Sequence, residues 1–134
     1  MERSDFPADF TFGAASSALQ IEGADKLYGK TPSVWDHYIE KYPDNIVNRA
    51  TIDVACDSYH KFKEDIKMLK AMGATSYRFS ISWTRILPMG KLEGGINWEG
   101  IDHYNTVLNE LKCNGIEPFV TLLHFDSPQA LEHS

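Results

Sequence analysis

Gly115-Ile116-Glu117-Pro118-Phe119-Val120-Thr121-Leu122-Leu123-His124-Phe125-Asp126-Ser127-Pro128-Gln129-Ala130-Leu131 is the stretch on which the fold turns. An apolar run between Gly115 and a Pro-containing turn reads as a buried strand over about 118–123. His124 and Asp126 stand at its carboxyl end, and a helix start lies behind them. A strand that ends in polar residues and leads into a helix is how a β/α barrel presents a ligand-binding group. Three residues after Leu131 the sequence ends, at Ser134. A barrel of eight strands takes about 250 residues, and 134 are present.

Upstream of this strand, Ile101, Tyr104, Leu108 and Leu111 recur at helical spacing, which predicts a helix near 98–114 closed by Gly115. Before it, a loop carries Pro88, Gly90, Gly94 and Gly95. Thr75-Ser76-Tyr77-Arg78-Phe79-Ser80-Ile81-Ser82-Trp83 alternates as a strand does. Ala55, Tyr59, Phe62, Ile66 and Leu69 make one apolar face of a helix over roughly 54–72, with Gly73 at its left-handed cap. The long connection at about 23–52 is expected to hold one short helix, with Thr31 as N-cap, Pro32 at the first helical position and Pro43 as its stop. A connection of this length in a compact domain is usually functional or a lid. The first strand falls on Thr11-Phe12-Gly13-Ala14-Ala15, whose small residues suit a crowded barrel interior. Strand, helix, strand, helix, strand implies a parallel α/β sheet with right-handed crossovers. The expected fold is therefore the first three strands and two main helices of a TIM (β/α)8 barrel, an incomplete single domain over residues 1–134.

Composition narrows the function classes. With 43% apolar and 12% aromatic residues the chain is globular in character. A net charge of −6 argues against nucleic-acid binding, which needs clustered Lys and Arg. No apolar run of about 18 residues is present, so no membrane span is expected. The amino terminus, Met1-Glu2-Arg3-Ser4-Asp5, has no apolar signal region, so the chain taken as complete is expected in the cytosol. Cys56 and Cys113 fall on predicted helices without a CxxC or zinc spacing, and are read as buried or half-buried free thiols.

His124 has a structural reading, as a satisfied polar residue, and a functional one, which its place at a strand end favours. Gln20 and Arg78 occupy similar positions after the other two strands; singly, one is a surface amide and the other an arginine free to pair with any acid. Three long polar side chains at three successive strand ends together suit a hydroxylated ligand. Trp35, Trp83, Trp98 and Phe125 offer platforms for a sugar ring but are read mostly as core, while His60 and His103 are read as solvated. His124 and Asp126 lack a third ligand, so neither metal nor cofactor is expected.

Several motifs, in order and over nearly the whole chain, resemble family 1 glycoside hydrolases of the plant β-glucosidase type. They are Phe12-Gly13-Ala14-Ala15-Ser16-Ser17-Ala18-Leu19-Gln20-Ile21-Glu22-Gly23-Ala24, Pro32-Ser33-Val34-Trp35-Asp36, Asp53-Val54-Ala55-Cys56-Asp57-Ser58-Tyr59-His60, Tyr77-Arg78-Phe79-Ser80-Ile81-Ser82-Trp83, Gly94-Gly95-Ile96-Asn97 and His124-Phe125-Asp126-Ser127-Pro128-Gln129-Ala130-Leu131. The resemblance implies that Gln20 and His124 hydrogen-bond hydroxyls of the non-reducing sugar, and that Arg78 contacts the nucleophilic carboxylate and holds it ionised. Phe125 stands where a Trp is common in the family, keeping an aromatic face without the indole N–H.

Retaining glycosidases need two carboxyl groups about 5–5.5 Å apart. By the resemblance these belong to an Asn-Glu-Pro motif and a Glu-Asn-Gly motif, and neither occurs in this chain. Asn109-Glu110-Leu111 lies within a predicted helix, and Glu117-Pro118 opens a strand instead of closing one. The expectation is a β-glucosidase-like chain that is inactive by itself, with weak affinity at most for a β-glucoside sugar. The alternative is a fragment that binds and modulates full-length homologous β-glucosidases through its open strand edges. Many intact relatives are secretory or vacuolar, which the resemblance sets beside the cytosolic expectation.

Overall fold

The computed structural model describes residues 2–132. Its centre is a three-stranded parallel sheet in the order β1 (Gly13–Ala15), β2 (Ser76–Ser80), β3 (Glu117–Thr121). Helix α3 (Ser58–Ala71) makes the first crossover and α5 (Trp98–Cys113) the second. Three shorter helices, α1 (Ala18–Ile21), α2 (Val34–Lys41) and α4 (Trp83–Ile86), sit in the connections that follow the first two strands.

The two predicted apolar stripes meet in one core. Ile66 and Leu69 of α3, Phe79 of β2, Tyr104, Val107 and Leu111 of α5, and Ile116 form a single buried cluster. Burying each large apolar side chain of this kind contributes roughly 1.5–3 kcal/mol, so this layer holds the helices against the sheet. The register pairs Ala15 with Arg78 and Arg78 with Phe119, so these three residues share one face of the sheet. Phe79, one residue along, lies on the other face and packs under the helices.

The elements are shorter than their sequence patterns. The long strand predicted to reach Trp83 ends at Ser80, because Ser82 gives its backbone N–H to the Tyr104 hydroxyl at 2.9 Å and α4 begins at Trp83. The first strand keeps only Gly13–Ala15 of the expected 11–15, and the third covers Glu117–Thr121 instead of 118–123. Helix α3 starts at Ser58, not 54, because Ala55 (φ 49°) and Asp57 (φ 56°) are left-handed and cannot continue a helix. The N-cap of α2 is Ser33, not Thr31. Ser33 and Asp36 form a reciprocal capping box, while the Thr31 hydroxyl donates to the Pro88 carbonyl at 2.6 Å. Gly23 (φ 64°) is required where the loop after α1 passes the Val54 carbonyl, which a Cβ would approach to 2.0 Å.

Both cysteines are exposed free thiols, against the expected burial; Cys56 lies in the turn before α3 and Cys113 ends α5. No helix among the described residues is long and apolar enough to cross a membrane.

Candidate functional site

The segments following all three strands converge on a small polar layer. Glu22 after β1, Ser82 after β2 and Asp126 after β3 line one cavity of about 20 Å³, together with Asp25, Lys30 and Ser33. A space of that size holds about one water molecule. Its walls are tied by charge. Lys30 Nζ donates to Asp25 Oδ1 at 2.5 Å and to Asp36 Oδ2 at 3.2 Å, and Asp126 Oδ1 accepts the His124 backbone N–H at 3.1 Å. Burial raises the pKa of Asp36, but the Lys30 ammonium and the Ser33 hydrogen bonds outweigh it, so its net shift is downward.

Beside this layer, Arg85 is completely buried and fully engaged. Nε donates to Glu22 Oε1 at 2.5 Å, Nη1 to the Leu27 carbonyl at 3.2 Å, and Nη2 to the Gly23 and Ala24 carbonyls at 3.3 Å each. The other carboxylate oxygen of Glu22 accepts the Tyr104 hydroxyl at 2.5 Å. Burial, with the Glu22 carboxylate beside it, raises the Tyr104 pKa well above its ordinary value and keeps that hydroxyl a donor. This network pins the connection after β1 to α4 and α5. The sequence reading missed it, because its members lie far apart along the chain and form no local motif.

Gln20 lies on α1, beyond the carboxyl end of β1, and is exposed; its Oε1 accepts the Ser17 hydroxyl at 2.8 Å. His124 lies three residues beyond Thr121, the last residue of β3, and is half-buried with its ring edge-on to Phe125. Arg78 is the central residue of β2 and not its terminus, which corrects the expected strand-end placement. It is half-buried, and its guanidinium has no hydrogen-bond or ion-pair partner among the described residues. No hydrogen bond joins Gln20, Arg78 and His124 to one another. The structure places Gln20 and His124 beyond the ends of β1 and β3 and Arg78 in the middle of β2, without assembling the three into a closed pocket.

The aromatic expectations divide. Trp35, Trp98 and Phe125 are exposed instead of core, at 40%, 66% and 75%. Trp83 is half-buried and lines an apolar groove. His60 is exposed, with Nδ1 against Asp57 at 2.6 Å. His103 is half-buried, not solvated: its ring stacks on Tyr59 at 3.9 Å. Burial, then Arg85 and His60, lower its pKa to about 4. Among the described residues no group of three or more His, Cys, Asp or Glu has metal-binding geometry.

A parallel sheet whose strands release polar residues at their carboxyl ends, with helices as crossovers, defines a segment of a β/α barrel. Comparison with known proteins names which one. Residues 2–134 match the profile described as Glycosyl hydrolase family 1, and the chain belongs to that family. Beta-glucosidase 24 of Oryza sativa subsp. japonica is 55% identical over 132 residues, which are 98% of this chain and 26% of that protein. Beta-glucosidase 13 of Arabidopsis thaliana is likewise 55% identical over 98% of this chain and 26% of its own length. Among solved structures, the rice Os3BGlu6 β-glucosidase superposes with a TM-score of 0.93 at 47% identity, over 98% of this chain and 27% of that one. An aphid myrosinase does so with a TM-score of 0.92 at 44% identity, over 96% and 28%. The chain thus spans about a quarter of the relatives it matches, and its three strands are part of an incomplete TIM barrel.

Proposed function

We propose that this chain is a β-glucosidase-like portion of the O-glycosyl hydrolase class that carries glycone-binding groups but does not hydrolyse glycosides by itself. Gln20 and His124 are the hydroxyl-binding residues, and Arg78 is the cation that faces the nucleophilic carboxylate. Arg78 supports the reading most: a half-buried guanidinium on the sheet face shared with Ala15 and Phe119, without a counter-charge among the described residues. A cation held in that way favours an anion brought from elsewhere. Neither carboxylate motif of the retaining mechanism occurs in the chain.

The test is hydrolysis of a chromogenic β-glucoside by the purified chain, beside Gln20→Ala and His124→Ala variants. No turnover above buffer is expected. Turnover that falls in both variants would overturn the assigned inactivity, since it requires a carboxylate pair within these residues.

A second reading is favoured by the apolar surface beside β3. In it the chain is a non-catalytic interaction fragment that binds and modulates full-length homologous β-glucosidases.

A further inference from the structure

The connection between α1 and α3 holds a second cavity, of about 190 Å³, whose lining residues all lie between positions 25 and 53. No residue of the sheet contributes to it. Four carboxylates stand in its wall: Asp25, Asp36, Glu40 and Asp53. Two ammonium groups answer them. Lys26 pairs with Glu40, and Lys30 bridges Asp25 and Asp36. Arg49 also lines the cavity, but its guanidinium is engaged at 2.6 Å by Asp44, which does not. The exposed Asp53 side chain has no hydrogen-bond or ion-pair partner among the described residues. The wall therefore carries more negative charge than its neighbours neutralise.

Asp36 is 4% exposed, and among the described residues its Oδ1 is the one buried side-chain polar atom without a hydrogen-bond partner. Oδ2 takes all three donors that reach this carboxylate: the Ser33 N–H at 2.6 Å, the Ser33 hydroxyl at 2.6 Å and Lys30 Nζ at 3.2 Å. Ser33 and Lys30 line the 20 Å³ cavity, whereas Asp36 borders only the larger one. Oδ1 is thus the oxygen left to the larger cavity. A buried carboxylate oxygen costs free energy until a donor reaches it.

The surplus charge asks that this donor be a cation. No group of three ligands among the described residues has metal-binding geometry, so the cation is one recognised through N–H bonds. Ile39, Pro43 and Ile52 give the same cavity an apolar wall for a carbon skeleton. In volume it suffices for a small ring, since a cavity of about 150 Å³ holds benzene. We propose that this cavity binds a small organic ammonium ion, which donates to Asp36 Oδ1, sets its charge against Asp53 and lays its hydrocarbon part on Ile39, Pro43 and Ile52. Gln20, Arg78 and His124 do not line the cavity, so the inference stands apart from the glycone reading.

The experiment titrates the isotope-labelled full chain with benzylammonium chloride and follows its backbone amide resonances by NMR. Saturable shifts confined to the connection at 25–53 are expected. Benzyl alcohol, of similar size and uncharged, should bind about tenfold more weakly. Asp53→Asn alters an exposed side chain that makes no bond; it should weaken benzylammonium roughly threefold and leave the circular dichroism unchanged. Asp36→Asn should weaken it about tenfold, but it also disturbs the α2 cap and Lys30, so Asp53→Asn decides the matter if that variant fails to fold. Three results would overturn the proposal: no saturable shift at 25–53, equal affinity for benzyl alcohol, or undiminished affinity in Asp53→Asn. Ammonium chloride that reproduces the shifts at the same concentrations would overturn it as well, by showing a site for an inorganic cation only.

Discussion

Replacing Arg85 by Met tests whether the buried charge network, more than the apolar core alone, holds the strand-end segments in place. Methionine keeps most of the apolar stem and removes the guanidinium. Arg85 is 0% exposed, and its partner Glu22 retains 9% of its side-chain exposure. The change strands the Glu22 carboxylate with only the Tyr104 hydroxyl and leaves the carbonyls of Gly23, Ala24 and Leu27 without their shared donor. Breaking a buried pair from one side costs about 3–5 kcal/mol, against a total of about 5–15 kcal/mol for a domain. A loss of roughly 4 kcal/mol is expected, together with the Arg85 cation lost from its place 4.4 Å from the Tyr59 ring centre. Equilibrium urea unfolding followed by tryptophan fluorescence measures it. The Glu22→Gln/Arg85→Met double variant should recover part of the loss, with a coupling of about 2 kcal/mol or more. A cost below about 1 kcal/mol for Arg85→Met, or strict additivity in the double variant, would refute the reasoning.

Acid should destabilise the fold through His103. Its native pKa of about 4 lies below the unfolded value near 6.5, so the unfolded chain takes up the proton first. Stability is then full above pH 6.5 and falls as pH drops toward 4. The full shift corresponds to roughly 3 kcal/mol, and water around a half-buried ring reduces it to about 2 kcal/mol. Urea midpoints at pH 7.5 and 4.5 measure the loss, and His103→Phe, which keeps the stack on Tyr59, should remove most of it; an unchanged pH dependence in that variant rejects the assignment. Gly100 on α5 lies against α4, where a Cβ would stand 2.7 Å from the Arg85 carbonyl oxygen and 2.9 Å from Arg85 Cγ. Gly100→Ala should therefore cost about 1–3 kcal/mol and shift the urea midpoint down; a midpoint at or above that of the unaltered chain rejects a tight α4–α5 contact.

The order of elements was legible because its signal is local and repeated. Tyr59, Ile66 and Leu69 on α3 and Tyr104 and Leu111 on α5 are buried where their spacing placed them. Boundaries were less legible where a distant partner decides them. The alternation through Ile81 and Trp83 looks like strand, yet the chain turns because Ser82 bonds Tyr104, 22 residues away. The cap of α2 was readable in principle: Ser33-Val34-Trp35-Asp36 has the capping-box spacing, and Thr31 drew attention only because a proline follows it. The left-handed Ala55 had no signal at all, since alanine is the strongest helix former and favours continuing the helix there.

The candidate site divides along the same line. Gln20 and His124 could be named as candidates because a strand end followed by a helix leaves a sequence pattern. The Glu22–Arg85–Tyr104 network was invisible, since its hydrogen bonds join residues 63 and 82 positions apart. Arg78 falls between the two cases. Its place in β2 was readable, but its meaning comes from what it lacks among the described residues. A buried ion pair such as Arg85–Glu22 is complete, whereas the half-buried Arg78 guanidinium has no counter-charge among the described residues. The two cations are therefore told apart by satisfaction and not by residue type, and that property emerges only once the chain is folded.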